Sequence, residues 1–236
     1  MIEKNQIILG DCMDIMAEMP DDYIDLTITS PPYNLGEKHH TGNNYFSPYP
    51  DDLPEPEYQE WQLNVLNEIY RITNDSGSLL YNHKNRIKEG VQTTPYQWIL
   101  KSNWYVKQEI IWFNGSQNFE KIRFYPMTER IYWLSKKPDT KLKNVINHHD
   151  LFMSNEWNSE GTNKIHKRSF PEKLVSDLLR CFPESKIIFD PFSGSGKVAC
   201  VCHKLKKDFI ACEKDKDYHR DSVNRLTDLR SQGVLF

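Results

Sequence analysis

A short segment near residue 190 has the residue types of a ligand-binding turn. It follows an apolar run that ends at Phe189 and precedes an amphipathic run that begins at Lys197. Glycines let a backbone approach a ligand closely, and the first turn of a helix offers free N–H groups. We therefore predict a small-molecule site in this glycine turn. Its residues are Asp190, Pro191, Phe192, Ser193, Gly194, Ser195 and Gly196.

Two common phosphate-binding patterns do not fit the glycine turn. A P-loop requires glycine where Pro191 stands and a hydroxyl residue where Val198 stands. The dinucleotide pattern requires a third glycine where Ala199 stands. A nucleoside without phosphates remains, and Glu213, at the end of the next apolar run, has a carboxylate that could accept hydrogen bonds from both ribose hydroxyls. The alternative for Glu213 is a solvated residue of the charged run 213–217, but the upstream glycine turn favours the ligand role.

A second apolar run is followed by two consecutive prolines and an aromatic residue. The run Ile24 to Thr29 precedes Ser30, Pro31, Pro32 and Tyr33, called here the Pro-Pro segment. Prolines fix the backbone and lack N–H groups, so we expect the carbonyls of Ser30 and Pro31 to point outward. Such carbonyls can accept the hydrogens of an amino group on a flat ring, while an exposed Tyr33 stacks on the ring face. The alternative is a turn in which Tyr33 fills the core.

The elements that must position these two segments alternate along the chain. Alternating strands and helices predict an α/β fold with a mostly parallel sheet covered on both faces. The predicted strands are Gln6–Leu9, Ile24–Thr29, Ser78–Tyr81, Gln108–Phe113, Arg130–Leu134, Lys186–Phe189 and Asp208–Cys212. The predicted helices are Glu57–Ile72, Phe170–Phe182, Lys197–Leu205 and Tyr218–Leu229. Both chemistry-bearing segments follow strands, which predicts that they lie at the carboxyl edge of the sheet.

Composition limits the classes of protein that remain. The 236 residues are 38% hydrophobic and 27% charged, which predicts one folded domain and excludes a disordered chain or a disulfide-stapled miniature. The chain lacks a run of the roughly 20 apolar residues that a membrane helix needs, so we expect a cytoplasmic protein and no membrane partner. The net charge of −3 does not exclude nucleic acid, because binding requires local basicity.

The sequence gives no pattern typical of a metal site. The five cysteines contain no C-x-x-C pair, and the His39-His40 and His148-His149 pairs are more typical of loops than of metal ligands. We therefore expect no metal and no disulfide framework.

Together, T-S-P-P-Y-N at 29–34 and D-P-F-S-G-S-G at 190–196 resemble motifs of the amino-methylating DNA methyltransferases. This family transfers a methyl group from S-adenosylmethionine to cytosine N4 or adenine N6. Further similar segments occur in a consistent order, and the resemblance covers most of the chain. They are Leu9-Gly10-Asp11, the strand motif 128–134, and His166-Lys167-Arg168-Ser169-Phe170-Pro171.

The resemblance implies a fold and a set of site residues. The fold would be a Rossmann-like methyltransferase fold with a mostly parallel seven-stranded sheet. Asp11 would contact the cofactor adenine, Phe170 would lie near the methionine part, and the strand motif 128–134 would line the target-base side. The implied catalytic residues are Ser30, Pro31, Pro32 and Tyr33. The implied cofactor-binding residues are Asp11, Phe170, Asp190, Pro191, Phe192, Ser193, Gly194, Ser195, Gly196 and Glu213.

The order of the motifs is similar to the permuted β class of the family. The Pro-Pro segment precedes the glycine turn by about 160 positions, which predicts a single domain with a catalytic half at 1–137 and a cofactor half at 164–236. A DNA-recognition insertion would then occupy 138–163. Protein-glutamine methyltransferases place the glycine motif before an Asn-Pro-Pro-Tyr motif, so the order disfavours a protein substrate.

DNA contact is predicted from local charge around the aperiodic stretch. The basic side chains concerned are Lys136, Lys137, Lys141, Lys143, Lys164, Lys167 and Arg168. A solvated loop is the alternative explanation for them. The segment 34–56 is expected to be a loop that closes over DNA or cofactor, with a packed surface loop as its alternative.

The predicted activity is methylation of a flipped-out base in double-stranded DNA, as in restriction-modification. Ser30 resembles the cytosine N4 enzymes, whereas Tyr33-Asn34-Leu35 also resembles the adenine N6 enzymes, so cytosine is favoured and adenine is the alternative. An RNA methyltransferase and a catalytically silent nucleic-acid-binding module remain as other classes. The resemblance also implies a homodimer and the cytoplasm of a prokaryotic or phage-infected cell.

Overall fold

The computed structural model describes residues 2–35, 51–114, 123–143, 149–153 and 171–232. Within these ranges the chain forms one large sheet, a separate two-stranded hairpin and several helices. The strands are β1 (Gln6–Leu9), β2 (Ile24–Thr29), β3 (Thr73–His83), β4 (Arg86–Lys88), β5 (Val91–Thr93), β6 (Tyr105–Phe113), β7 (Thr128–Ser135), β8 (Leu151–Met153), β9 (Ile187–Asp190) and β10 (Asp208–Glu213). The helices are α1 (Cys12–Ala17), α2 (Glu55–Ile72), α3 (Tyr96–Ile99), α4 (Glu172–Arg180), α5 (Lys197–Lys204) and α6 (Lys216–Ser231).

The large sheet has eight strands in the described part of the chain, so the predicted number of seven was wrong. Their order is β1-β10-β9-β2-β3-β7-β6-β8, and the added strand β8 pairs in parallel with β6. The α/β class and the mostly parallel arrangement are confirmed. Among these eight strands, β7 is the one that runs antiparallel to the rest. The sequence does not reveal β8, since three residues are too few to show an alternation.

The central strands of the sheet bury both of their faces. Leu80, Ile188 and Phe209 point into a core formed with α4, α5 and α6. Their neighbours Leu79 and Phe189 point to the other side, into a core formed with α1, α2 and α3. Successive side chains of a strand face opposite ways, so two helical layers cover the sheet as predicted.

One edge of the sheet collects the ends of five parallel strands, and we call it the site edge. The strands β1, β10, β9, β2 and β3 run parallel, so their last residues lie together there. Because β7 runs antiparallel to β3, with Arg130 opposite His83, β7 begins at the same edge. The segments that follow Thr29 and Asp190 therefore leave the sheet side by side.

The connections from β2 and β9 diverge at this edge. The chain leaves β9 toward α5, which packs on one face, whereas it leaves β2 toward α2, which packs on the opposite face. Adjacent parallel strands whose connections go to opposite faces leave a crevice at their carboxyl ends, which is where open α/β sheets bind ligands.

Two of the lysines expected to contact DNA lie elsewhere. Lys136 and Lys137 follow the end of β7, at the edge opposite the site edge. Lys136 Nζ lies 2.6 Å from Asp22 Oδ1, and Lys137 Nζ lies 2.6 Å from Asp75 Oδ2. Their distance from the site edge and these ion pairs argue against DNA contact by the two side chains. Lys141 and Lys143 lie within the described residues, where Lys143 Nζ is 3.7 Å from Glu184 Oε2, and Lys164, Lys167 and Arg168 lie outside them.

The described residues contain neither a membrane-spanning helix nor a metal-binding cluster. None of their helices is long and apolar enough to cross a membrane. The same residues also show no cluster of three or more His, Cys, Asp or Glu side chains placed to hold a metal ion.

Candidate functional site

The ends of β2 and β9 are joined by a buried hydrogen bond. Thr29 Oγ1 donates to Asp190 Oδ1 at 2.9 Å, and the same carboxylate oxygen accepts from the Phe192 N–H at 3.1 Å. These contacts fix the start of the Pro-Pro segment against the start of the glycine turn. Burial raises the pKa of the Asp190 carboxyl to about 7, although both donors and particularly the Phe192 N–H favour its charged form.

The two glycines of the turn have different roles. Both have positive φ, 50° at Gly194 and 74° at Gly196. A Cβ on Gly194 would face open space, with its nearest neighbour, the Phe192 carbonyl oxygen, at 4.0 Å. A Cβ on Gly196 would lie 2.8 Å from Ser222 Cβ, so this glycine allows α6 to pack closely. Gly194 is therefore the glycine that leaves room for a ligand, and Gly196 shapes the fold.

The two serine hydroxyls of the turn are buried and unsatisfied within the described part of the chain. Ser193 and Ser195 are 6% and 3% exposed, and their Oγ atoms have no hydrogen-bond partner among the described residues. Buried hydroxyls without partners are costly, so partners supplied by a ligand would stabilise this turn. The turn therefore combines open space at Gly194 with two buried hydroxyls whose hydrogen-bonding capacity is unused among the described residues.

Glu213 ends β10 directly beside the glycine turn. Its Oε2 accepts from the Gly194 N–H at 2.7 Å, and its Oε1 accepts from the Asp215 N–H at 2.8 Å. Each carboxylate oxygen has a second lone pair, so the group retains capacity to accept from a ribose diol. Burial raises the pKa of Glu213, while the backbone N–H groups of Asp215 and Gly194 oppose the rise. The predicted solvated alternative does not apply, since Glu213 is 2% exposed.

Asp11 lies at the same edge, after β1. It caps α1 by accepting from the Met13 N–H at 2.9 Å, and its Oδ2 lies 2.9 Å from Lys214 Nζ. Burial raises the pKa of Asp11, but the hydrogen bonds from Lys214 and Met13 outweigh it and hold the pKa below its ordinary value. Asp11 is therefore a charged group next to Glu213. Phe170, the remaining predicted cofactor residue, lies outside the described residues.

Tyr33 is half-buried rather than exposed, so that part of the prediction was wrong. Its hydroxyl lies 2.8 Å from Ser30 Oγ, 2.5 Å from Asn82 Oδ1 and 3.0 Å from Glu129 Oε2. Its ring packs against the His83 ring with centroids 4.6 Å apart. The Pro-Pro segment thus forms a polar cluster with the end of β3 and the start of β7.

Two side chains of α2 contact the Pro32 carbonyl oxygen. Tyr58 Oη lies 2.6 Å from this oxygen, and Gln62 Nε2 lies 3.4 Å from it and 2.7 Å from Tyr58 Oη. Gln62 Oε1 in turn accepts from Tyr81 Oη at 2.7 Å. A buried chain of hydrogen bonds therefore fixes the direction of the Pro-Pro segment from inside the protein.

His83 shares the Tyr58 hydroxyl. Burial lowers the pKa of His83 to about 3, so the imidazole is neutral near pH 7. Its Nδ1 lies 2.7 Å from the Lys84 carbonyl oxygen, which can only accept, so Nδ1 carries the proton. His83 Nε2, 2.7 Å from Tyr58 Oη, is then an acceptor, and the single Tyr58 proton serves both His83 and Pro32.

Replacing Tyr58 by phenylalanine is expected to lower the turnover of the site about 10-fold while ligand binding at the glycine turn is unchanged. The variant removes the proton that Pro32 and His83 Nε2 share and leaves the Pro32 carbonyl only the longer 3.4 Å contact with Gln62 Nε2, which costs about 1 to 3 kcal/mol and loosens the Pro-Pro segment. Steady-state kinetics and urea unfolding measure the two effects. Tyr132→Phe is the matched control, since it removes a buried hydroxyl that interacts with Thr94 instead. Equal turnover in Tyr58→Phe and wild type would contradict this positioning role.

Several residues of the site were not assigned a role from the sequence. Asn82 and His83 end β3 at the site edge, and a polar pair after a predicted strand is a signal that could have indicated them. Glu129 falls in the strand motif that resembles the target-base side, but the sequence assigns it no partner. Tyr58 and Gln62 lie one turn apart on the buried face of α2, and nothing in the sequence distinguishes them from core residues.

Comparison with known proteins agrees with this geometry. A family model described as DNA methylase, covering the N6 and N4 methyltransferases, matches residues 24–224. The Type II methyltransferase M.ScaI of Streptomyces caespitosus is 25% identical over 95% of this chain and 82% of its own length.

Solved structures show the same fold. The PvuII DNA methyltransferase, described as cytosine-N4-specific, superposes with a TM-score of 0.75 and 21% identity over 96% of this chain and 91% of that one. A complex of M1.HpyAVI with S-adenosylmethionine superposes with a TM-score of 0.63 and 20% identity over 94% of this chain and 98% of that one. The family match extends over most of the chain and includes the Pro-Pro segment, the glycine turn and Glu213. The chain belongs to the DNA methylase family that contains the N6-adenine and N4-cytosine methyltransferases.

Proposed function

We propose that this DNA methylase methylates the exocyclic amino group of a base rotated out of double-stranded DNA, with cytosine N4 as the favoured target. The observation that carries the proposal is the 2.9 Å hydrogen bond between Thr29 and Asp190. It holds the Pro-Pro segment, which suits an amino group, beside the glycine turn, which suits a nucleoside. A target base and a cofactor bound there would meet in one crevice.

Residues of the glycine turn would hold S-adenosylmethionine, the methyl donor of this family. When bound, this cofactor supplies an electrophilic methyl group on its sulfonium. Gly194 leaves the space for its approach, and the unpartnered hydroxyls of Ser193 and Ser195 supply donors. Glu213 would accept hydrogen bonds from the ribose hydroxyls, and Asp11 would contact the adenine. We also assign Phe170 to the methionine part, on the strength of the family resemblance.

The Pro-Pro segment would prepare the amino group for attack. The lone pair of an exocyclic nitrogen is conjugated into the ring, and the nitrogen must become tetrahedral to react. The carbonyls of Ser30 and Pro31 would bind the two amino hydrogens in that geometry and stabilise the positive charge that develops. The contacts of Tyr58 and Gln62 with the Pro32 carbonyl support this role, because they preorganise the segment before a base arrives.

The substrate would reach this site as a flipped-out nucleotide. A base within a duplex is shielded on both faces, so chemistry on its amino group requires extrusion. The Tyr33 ring would contact the extruded base, and the segment 138–163 would read the DNA sequence. Of this segment the structure describes 138–143 and 149–153, including strand β8. Of the segment 34–56, which is expected to close over DNA or cofactor, residues 36–50 lie outside the described residues.

Cytosine is favoured over adenine by the first residue of the Pro-Pro segment. Ser30 has a hydroxyl that can both donate and accept, and cytosine has a ring nitrogen and a carbonyl beside its amino group that a donor can meet. The similarity to the cytosine-N4-specific PvuII enzyme supports the same choice. The adenine N6 alternative is favoured by Asn34, which continues a Tyr-Asn-Leu sequence similar to adenine enzymes.

The deciding experiment identifies the modified base. The protein is incubated with S-adenosylmethionine and mixed-sequence duplex DNA, the DNA is digested to nucleosides, and the products are analysed by mass spectrometry. We expect N4-methylcytosine. N6-methyladenine alone would overturn the choice of base, and methylation of RNA but not DNA in a parallel reaction would overturn the choice of polymer. A Gly194→Val variant serves as the cofactor-deficient control.

A further inference from the structure

Four oxygen atoms form a compact cluster at the Pro-Pro segment. Tyr33 Oη lies 2.8 Å from Ser30 Oγ, 2.5 Å from Asn82 Oδ1 and 3.0 Å from Glu129 Oε2, and Ser30 Oγ also lies 3.1 Å from Asn82 Oδ1. Tyr33 is thus the centre of the cluster. Glu129 is the carboxylate in it, and its other oxygen accepts from Asn114 Nδ2 at 3.2 Å.

The orientation of the Asn82 amide is fixed by the backbone. Asn82 Nδ2 donates to the Arg130 carbonyl oxygen at 2.9 Å. Rotating the amide by half a turn would place two acceptors against each other, so Oδ1 must face Tyr33 and Ser30. Asn82 therefore contributes an acceptor to the cluster and no proton.

The cluster has more oxygen–oxygen contacts than hydroxyl protons. It has four oxygen–oxygen contacts, and the hydroxyls of Ser30 and Tyr33 supply one proton each. With Glu129 ionised, two of the four contacts have no proton between the oxygens. One additional proton on Glu129 would supply a third hydrogen bond, so the arrangement is suited to receiving a proton.

We propose that Glu129 is the terminal proton acceptor of methyl transfer, reached from the target amino group through Ser30 and Tyr33. This rests on the function proposed above. The exocyclic nitrogen forms a bond to the methyl carbon while the carbon–sulfur bond breaks and sulfur keeps its electron pair. The amino proton held at the Ser30 carbonyl then moves to Ser30 Oγ of the same residue, the Ser30 hydroxyl proton passes to Tyr33 Oη, and the Tyr33 proton passes to Glu129. Each hydroxyl regains the proton it gives, and the carboxylate becomes a carboxylic acid.

The other groups of the cluster cannot end such a relay. The Asn82 amide oxygen is neutral and far less basic than a carboxylate. Tyr33 passes a proton rather than keeping a charge, since burial and the nearby charge of Glu129 raise its pKa well above the ordinary value. Among the described residues, Glu129 is the one carboxylate in hydrogen-bond contact with Ser30, Tyr33 or Asn82.

A double-mutant cycle tests the relay. The variants are Glu129→Gln, Tyr33→Phe and the two combined, each nearly isosteric and each retaining the aromatic ring at position 33. Single-turnover methyl transfer to DNA, the Kd for S-adenosylmethionine and the KM for DNA are measured for all three. We expect each single variant to transfer methyl groups about 100-fold more slowly, in the range of general-base catalysis, with both binding constants within about twofold of wild type.

The rate of the double variant shows whether Tyr33 and Glu129 act as one unit. Two changes in one relay should together cost no more than one alone, whereas two independent structural defects should multiply to about 10,000-fold. Glu109→Gln is the matched control, because Glu109 is a half-buried carboxylate of β6 that pairs with Arg130 at 2.8 Å and lies outside the cluster. We expect it to retain the wild-type rate.

The outcomes separate this proposal from the proposed function. Methyl transfer at the wild-type rate in Glu129→Gln or Tyr33→Phe overturns the relay, and so does a multiplicative loss in the double variant. Failure of the function itself is visible earlier, as absence of methyl transfer to DNA by the wild-type protein.

Discussion

Replacing Gly194 by valine is expected to lower the affinity for S-adenosylmethionine about 100-fold or more, equivalent to about 2.7 kcal/mol of binding free energy. A Cβ at this position projects into open space in the crevice, where the glycine turn would hold the cofactor. The branched side chain would fill that space. The positive φ of 50° adds strain of about 1 to 2 kcal/mol to the fold. Titration calorimetry and thermal unfolding separate the two effects.

Gly90 offers the matched control for Gly194. It also has a positive φ, 79°, and a Cβ added to it would meet no atom within 4 Å, but it belongs to the turn between β4 and β5. Gly90→Val should therefore show the same backbone strain with unchanged cofactor affinity. Equal affinity in Gly194→Val and Gly90→Val would remove Gly194 from the cofactor site.

Replacing Tyr33 by alanine is expected to lower methyl transfer about 100-fold or more with cofactor affinity unchanged. The variant removes a ring whose stacking on a base is worth about 1 to 3 kcal/mol. It also removes the hydroxyl that contacts Ser30, Asn82 and Glu129. Steady-state turnover on DNA and titration of the cofactor measure the two quantities. The loss should exceed that of Tyr33→Phe, which keeps the ring.

Tyr70 provides the control for the loss of an aromatic side chain. It is half-buried, its ring lies against Trp104, and the Lys136 ammonium lies 4.9 Å from its centroid near the opposite edge of the sheet. Tyr70→Ala should lower stability without a comparable loss of turnover. Wild-type turnover in Tyr33→Ala would contradict the role of the Pro-Pro segment in catalysis.

Two features that only the structure shows affect the interpretation of these variants: Tyr33 is partly buried, and Gly194 and Gly196 have separate roles. The sequence leaves open whether the Tyr33 ring is exposed or fills the core, and it predicts that both glycines let the backbone approach a ligand; both expectations treat each segment by itself. In the structure Tyr33 is held by β3 and β7, and Gly196 is needed because Ser222 of α6 lies against it. Contacts between segments far apart in the chain decide these properties.

The sequence by itself determined the fold class and the edge of the sheet at which the Pro-Pro segment and the glycine turn lie. Strand and helix periodicity arise from neighbouring residues, and the turn chemistry of Ser30-Pro31-Pro32 and Ser193-Gly194 is equally local, so both can be read along the chain. The short strand β8 was not predicted, because three residues are too few to show a strand periodicity.

Tertiary structure alone decided which polar groups meet. The Thr29–Asp190 bond joins residues 161 positions apart, and the Tyr33–Glu129 contact joins residues 96 positions apart. Tyr58 is a further example. Its spacing on α2 is that of an ordinary core residue, and only the structure shows that its hydroxyl contacts the Pro32 carbonyl. Hydrogen bonds of this kind depend on atomic positions set by the packing of the whole sheet and its helices, and residue type and spacing do not encode them individually.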